Sequence, residues 1–353
     1  MDESIDLYNR MGSFITQVCD PIKVLRHIEP VNLSGEKEAF FNGKGNPEFQ
    51  YAGITYDSKK VAEDLSNLEI SGDEICTIYD GKRKTELLNN YILQNLGDPE
   101  VIRSSSIQLY GVPSEDLVKY AEQLLKDLPQ TEAIKNVPSS RVKSALEDSL
   151  KEYGLDDWNI ELSKKQLTGT SAADKTITLC EDRLFSELDV TRLGVHEVGV
   201  HALRGVNGAV QPFKIFETGL PGYLSTEEGL AGYAEQQTGN TSPEIMGDYA
   251  ARVIAVDSVC QNLDFRQTFN RLKDMELSDE QSWNLSVRAH RGGGFVKDHV
   301  YLQGIREVES YVSDGGKIDA LFVGKVGISD LPLVNNLLKR KILKKAKYKP
   351  KFK

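Results

Sequence analysis

His196-Glu197-Val198-Gly199-Val200-His201 is the stretch on which the reading of this chain turns. It places two of the five histidines around a carboxylate, downstream of Ser186-Glu187-Leu188-Asp189, whose spacing is that of a capping box. That box predicts a helix through Leu193, His196 and His201 to about Arg204. On a regular helix, residues four apart lie about 40° apart around the axis, as in the metal-binding pattern His-Glu-x-x-His. Residues five apart lie about 140° apart, too far round for both imidazoles to reach one ion. A π-bulge adds one residue to the turn and closes the gap, and Gly199 offers backbone freedom where it would be needed. The spacing therefore predicts an i to i+5 hydrogen bond or a broken turn within residues 195 to 202. Without such a distortion, the stretch is a helix carrying two surface histidines.

A catalytic zinc ion takes three protein ligands and keeps a fourth position for water. Thr226-Glu227-Glu228-Gly229-Leu230-Ala231 holds the acidic candidates for the third. Adjacent residues on a helix point about 100° apart, so only one of Glu227 and Glu228 can face the metal. Glu228 is the preferred ligand, partly on the resemblance given below, and Glu227 otherwise reads as charge complementing a helix N-terminus. Next to the first imidazole, Glu197 can accept a proton from zinc-bound water as general base. The metal set is thus His196, His201 and Glu228, with Zn2+ as cofactor.

Around this centre the pattern is mostly helical. Residues 1–57 read as an irregular N-terminal segment with a helix, its loop signal strongest at Asn42-Gly43-Lys44-Gly45-Asn46-Pro47. Residues 58–153 form a helical subdomain by apolar spacing, with Pro113-Ser114 opening one helix. Residues 154–335 form the catalytic core. There Trp158 to Ser163 and Lys175 to Leu179 alternate apolar with polar and predict a small antiparallel sheet ahead of the His196 helix, the second run being a candidate edge strand for an extended peptide. Thr226, Ser242-Pro243, and Ser278 with Gln281 open further helices. The expected fold class is α+β, a mostly helical zinc metallopeptidase.

Composition narrows the function classes. The 353 residues are 39% hydrophobic and 27% charged, and no apolar run approaches the roughly 18 residues of a membrane span. The acidic start Met-Asp-Glu-Ser-Ile-Asp lacks the features of a secretory signal, which points to the cytoplasm. Cys19, Cys76, Cys180 and Cys260 have no Cys-x-x-Cys spacing, so buried free thiols are expected rather than disulfides or a thiolate site. Net charge is −10, and the basic tail 336–353 carries nine Lys or Arg from 339 onward without an acid, which leaves −19 for the rest. So acidic a body argues against nucleic acid as a partner. The tail reads as a solvated, poorly ordered end, or as a contact for an acidic partner.

The motif, together with Arg204-Gly205-Val206-Asn207-Gly208, Gln211-Pro212, Gly219-Leu220-Pro221-Gly222-Tyr223 and Thr226 to Ala231, resembles the microtubule-associated tyrosine carboxypeptidase family. Its bacterial members are often described as flavohaemoglobin expression-modulating proteins with a Gln-Glu-Gly-Leu-Ala motif. Thr226-Glu227 replaces the Gln variant here, while the Glu before Gly-Leu-Ala is kept as Glu228. The resemblance continues through Arg288-Ala289-His290-Arg291-Gly292-Gly293-Gly294-Phe295-Val296-Lys297-Asp298-His299-Val300-Tyr301-Leu302-Gln303-Gly304, and covers about residues 58 to 325. It implies a gluzincin-like zinc enzyme, one whose third ligand is a glutamate, that releases a C-terminal tyrosine or phenylalanine from a peptide or protein.

An exopeptidase of that kind must hold a free carboxylate, and charge-assisted hydrogen bonds from Arg288, Arg291 and Lys297 are suited to it. Tyr301 and Tyr223 are candidates for hydrogen bonding the oxyanion or lining the side-chain pocket, with core packing as the alternative for each. His290 and His299 read as structural. Two other functions compete: a catalytically silent, zinc-stabilised regulatory or binding protein of the same fold, and an aminopeptidase. Glu197 favours the enzyme, since a structural zinc needs no general base, and the basic segment from Arg288 to Lys297 suits a carboxylate rather than an amine.

Overall fold

The computed structural model describes residues 2–129, 133–164 and 169–352. The chain divides into two compact units, the first formed by residues 1–9, 131–245 and 301–353, the second by 10–130 and 246–300.

In the first unit, strands β1 (Asn159–Ser163), β2 (Gly169–Ser171) and β3 (Thr176–Cys180) form one sheet in the order β1-β3-β2. β3 is therefore central, with Ile177 and Leu179 fully buried, and not the edge strand expected from its sequence. Its pairing with β1 is parallel, and only β2 runs antiparallel to it. The sheet is mixed rather than antiparallel because Gly169-Thr170-Ser171, whose composition reads as a turn, is a strand that reverses the chain between the other two.

Ser186 caps the next helix as expected. Its hydroxyl accepts from the Asp189 amide, and the Asp189 carboxylate accepts from the Ser186 amide. The helix is longer than predicted and changes type: α1 (Glu187–Leu193) passes into a π-helix (Gly194–Ala202) and then into α2 (Leu203–Ala209). The helix that carries Glu228, α3 (Leu224–Gln237), starts two residues before Thr226, so Thr226 is not its cap. The Thr226 hydroxyl instead accepts from the Ile328 amide. At Gly229, α3 touches the backbone of Gly304 on the helix Val300–Ser313 so closely that a Cβ would lie 2.2 Å from a Gly304 backbone atom.

The basic tail corrects a second expectation, because it is docked rather than loose. Asn207 accepts from the amides of Lys347 and Tyr348 and donates to the Tyr348 carbonyl. Gln211 brackets Lys344 in the same way, at its amide and its carbonyl. Leu343 and Phe352 are buried, Phe352 against the rings of Tyr233 and Phe322. The lysines between them are exposed, while the backbone at Lys344, Lys347 and Tyr348 finds its partners in the side chains of Asn207 and Gln211.

The second unit is helical. The N-terminal segment, expected to be irregular with a helix, contains the helices Asp2–Cys19, whose residues up to Asn9 belong to the first unit, and Leu33–Phe41. Phe40 on the latter packs with Phe265, Phe269, Trp283 and Val287 in one aromatic cluster. The expected caps at Ser114 and Ser278 both form. Among the described residues, no helix is long and apolar enough to cross a membrane, and the four cysteines are free, with Cys76 and Cys180 buried and Cys19 and Cys260 half-buried.

Asn207→Ala removes three hydrogen bonds that fasten the tail. We expect a stability loss of about 1–3 kcal/mol in thermal or denaturant unfolding and faster tryptic cleavage between Lys344 and Lys351. Unchanged cleavage there would show that the clamp does not hold the segment.

Candidate metal centre

The π-helix Gly194–Ala202 supplies the distortion that the five-residue spacing requires. Its i to i+5 bonds widen each turn by one residue, so positions five apart return nearly to the same face. The rings of His196 and His201 accordingly lie side by side, edge to face, at a centroid distance of 4.7 Å. Gly199 is not the special point within it. Its φ is negative, and a Cβ there would meet only ordinary contacts, whereas one on Gly194 would lie 2.7 Å from the Ser149 hydroxyl.

Across from the π-helix, α3 presents Glu228. Its Oε2 lies 3.7 Å from His196 Nε2 and 3.8 Å from His201 Nε2. Ligating atoms of these three residues all fall within 4.8 Å of one another, and among the described residues no other His, Cys, Asp or Glu group meets that criterion. A tetrahedral zinc at about 2.0–2.2 Å from each donor separates donors by about 3.3–3.6 Å, so a small inward movement of the side chains would seat it.

Both imidazoles are anchored from behind. His196 Nδ1 is 2.8 Å from Glu235 Oε1, and His201 Nδ1 is 3.0 Å from Glu227 Oε1, which turns each Nε2 toward Glu228. Each carboxylate is in turn held by an arginine. Arg192 bonds Glu235 at 3.0 Å and reaches back to Asp189 of the capping box. Arg204, fully buried, bonds Glu227 and the carbonyls of Leu321 and Val326. Carboxylate–imidazole pairs of this form fix ring orientation and tautomer in metal sites. Burial acts to raise the Glu227 carboxyl, yet the Arg204 charge and the His201 hydrogen bond bring it down to about 2. Burial disfavours a charged His196, but its hydrogen bonds to Glu228 and Glu235, with the charges of Glu235 and Glu197, outweigh it and hold the imidazole well above its ordinary value. So much buried negative charge around two imidazoles is an environment that favours a cation, and the donor set of two imidazoles and a carboxylate suits zinc.

Glu197 is buried beside His196, and its Oε2 accepts a 2.6 Å hydrogen bond from the Thr170 hydroxyl on β2. Tyr223 stands half-buried just before α3, with its ring over Gly219. Tyr301, also half-buried, lies one turn before Gly304 on the helix that meets α3 at Gly229.

Arg288, Arg291 and Lys297 belong to the second unit, where they gather around the buried carboxylate of Asp298, Arg288 Nε at 2.8 Å. Arg291 also pairs with Glu29. Burial acts to raise the Asp298 carboxyl, but the charges of Arg288, Arg291, Lys297 and Arg252 hold it far below the carboxylate range. Gly292, Gly293 and Gly294 all have positive φ, and Gly293 meets the backbone of Asp98 within 3.1 Å of a built Cβ, which is the close approach the three glycines serve. His290 bonds the Thr268 hydroxyl, with burial driving its pKa to about 4, and His299 bonds the Val296 carbonyl, both structural arrangements.

Sequence reasoning missed Glu235, Arg192, Arg204 and Thr170, and read Glu227 as helix N-terminal charge rather than as the partner of His201. Glu235 was within reach, since seven residues beyond Glu228 is two helical turns and nearly the same face. Thr170 had no signal, being joined to Glu197 only by the way the sheet packs.

Two helices, one of them π-wound, thus bring together two imidazoles and a carboxylate that could hold a metal ion, with a second carboxylate set beside them. The chain belongs to the microtubule-associated tyrosine carboxypeptidase family, whose model matches residues 38–353. The match takes in the docked tail as well as the motif-bearing stretch. The family is one of carboxypeptidases, and so of peptidase hydrolases. The chain is similar to microtubule-associated tyrosine carboxypeptidase 1 of Rattus norvegicus and of Mus musculus, in each case 35% identical over 124 residues, covering 32% of this chain and 26% of the relative. It is also similar to the Homo sapiens protein of that name, 36% identical over 121 residues, covering 31% and 25%. The matched stretch spans about a quarter of the length of these relatives.

The Asp298 cluster carries its own expectation. Asp298→Asn leaves buried cations without their shared counter-charge and should destabilise the protein by about 3–5 kcal/mol. Because the folded carboxyl is held below its unfolded value, this contribution is present above about pH 4 and declines as pH falls below it. Unfolding measured from pH 7 to pH 3 should show the gap between wild type and variant narrowing with acid, and a constant gap would refute the assignment.

Proposed function

We propose that the protein is a zinc-dependent metallocarboxypeptidase, a gluzincin-like enzyme that releases a C-terminal residue, tyrosine or phenylalanine, from a peptide or protein. The observation that carries this reading is the convergence of His196 Nε2, His201 Nε2 and Glu228 Oε2, with Glu197 beside them. Bound by those three side chains, zinc would act as a Lewis acid and lower the pKa of a coordinated water to about 7. Glu197 takes the proton of the attacking water through the oxygen that Thr170 does not engage, and passes it to the departing amine. Glu227 and Glu235, through their Nδ1 contacts, keep both imidazoles presented.

Arg288, Arg291 and Lys297 are assigned to the terminal carboxylate on their charge. Tyr223 and Tyr301 are assigned to the oxyanion or the side-chain pocket. The similarity to tyrosine carboxypeptidases supports a bulky aromatic leaving residue. Four free cysteines support a cytoplasmic setting.

Glu197→Gln should keep zinc and fold while kcat on N-blocked dipeptides ending in tyrosine falls about a hundredfold or more. Chelation should abolish the wild-type activity and added zinc should restore it. Normal turnover in Glu197→Gln would exclude the mechanism, and zinc binding without turnover of any free-acid peptide would favour a silent, zinc-stabilised binding protein.

Arg291→Ala and Lys297→Ala provide a separate check. Each should impair free-acid peptides much more than the matching C-terminal amides, whose binding does not use the positive charge. Equal losses on both would assign the pair to structure alone.

A further inference from the structure

We infer that Thr170 is a positioning residue for the general base, an inference that rests on the proton-transfer role proposed for Glu197. Thr170 lies on β2, the edge strand of the sheet, and its backbone is fixed by pairing with the fully buried Ile177 of β3. Its hydroxyl donates to Glu197 Oε2 at 2.6 Å, within the short range of a charge-assisted O–H···O⁻ bond.

The neighbouring side chain, Ser171, bonds Asp174 in the turn that follows, so the two hydroxyls of this strand have different tasks. Ser171 closes a local turn. Thr170 spans 27 residues of sequence to reach a carboxylate on another element.

Glu197 has three rotatable side-chain bonds, and a base that must meet one particular proton loses rate in proportion to the time spent elsewhere. The Thr170 hydroxyl restricts that freedom by engaging one carboxylate oxygen and leaving the other for the water. A hydroxyl is both donor and acceptor. It can donate to the same Glu197 oxygen while the carboxylate is ionised and, once the other oxygen has taken the proton, while it is neutral, so one contact serves both halves of the transfer without either side chain moving. Neither the strand nor the three metal-binding side chains depend on the hydroxyl. β2 is held by its backbone, and His196 and His201 are anchored by Glu235 and Glu227.

Thr170→Val keeps the size and branching of the side chain and removes only the bond. We expect kcat on an N-blocked alanyl-tyrosine dipeptide to fall about ten- to a hundredfold with KM and zinc affinity unchanged, and Thr170→Ser to restore it. A crystal structure of zinc-loaded Thr170→Val should show the Glu197 carboxylate in a rotamer, or a set of rotamers, different from that of the wild type. An unchanged single Glu197 rotamer overturns the inference whatever the activity. So does a loss that Ser fails to rescue, or one accompanied by zinc release. Failure of Glu197→Gln to lower turnover would instead strike the proposed function itself, which separates the two outcomes.

Discussion

Everything in the first unit that bears on chemistry depends on the π-wound turn between Gly194 and Ala202. A regular helix would send His196 and His201 to faces about 140° apart, and no arrangement of Glu228 could then unite them. With one residue added to each turn, both rings come to the same side, opposite α3. A π-helix forgoes the tighter packing of the α form, and here both ends of the distortion are supported. Ahead of it, α1 is capped at Ser186 and tied through Asp189 and Arg192 to Glu235. Behind it, α2 carries Asn207 and, just after it, Gln211, which clasp the tail.

The two imidazoles are served by parallel arrangements of different origin. His196 relies on Glu235 and the partly exposed Arg192, while His201 relies on Glu227 and the fully buried Arg204. A buried guanidinium is costly unless all its directions are satisfied. Arg204 meets that demand with one carboxylate and two backbone carbonyls from the segment after Val300–Ser313. The arginine therefore fastens three separate stretches of chain around the second histidine, which makes the centre part of the unit's core rather than an addition to its surface.

Glu227 and Glu228 illustrate how one helix divides labour by angle. Their side chains leave α3 about 100° apart, so Glu228 faces the gap between the Nε2 atoms while Glu227 passes beside it to the far nitrogen of His201. Close helix contact brings them there. Gly229 lets the Gly304 backbone lie against α3, and a side chain at either position would force the helices apart. In the second unit a comparable sharing of charge appears around Asp298, whose carboxylate stands among Arg288, Arg291 and Lys297, with Glu29 a further partner of Arg291.

Local features were decided within the sequence itself. The preference for Glu228 over Glu227 drew also on the family resemblance, whereas capping boxes, the helices they open, and the five-residue spacing that rules out a regular turn all follow from residues a few places apart. Their physics is short-range: hydrogen bonds to adjacent amides, and the angular period of a helix. Relations between distant segments were decided only by tertiary structure. Gly169-Thr170-Ser171 carries the composition of a turn, yet it becomes an edge strand because β3 offers it unpaired backbone, and this makes the sheet mixed. The tail's lysines read as solvated, yet Asn207 and Gln211 satisfy its backbone against the body. Arg204, Glu235 and Thr170 acquire their partners through packing alone. Periodicity records which face a residue occupies, but a hydrogen bond across 27 or more residues depends on where folding places the other partner.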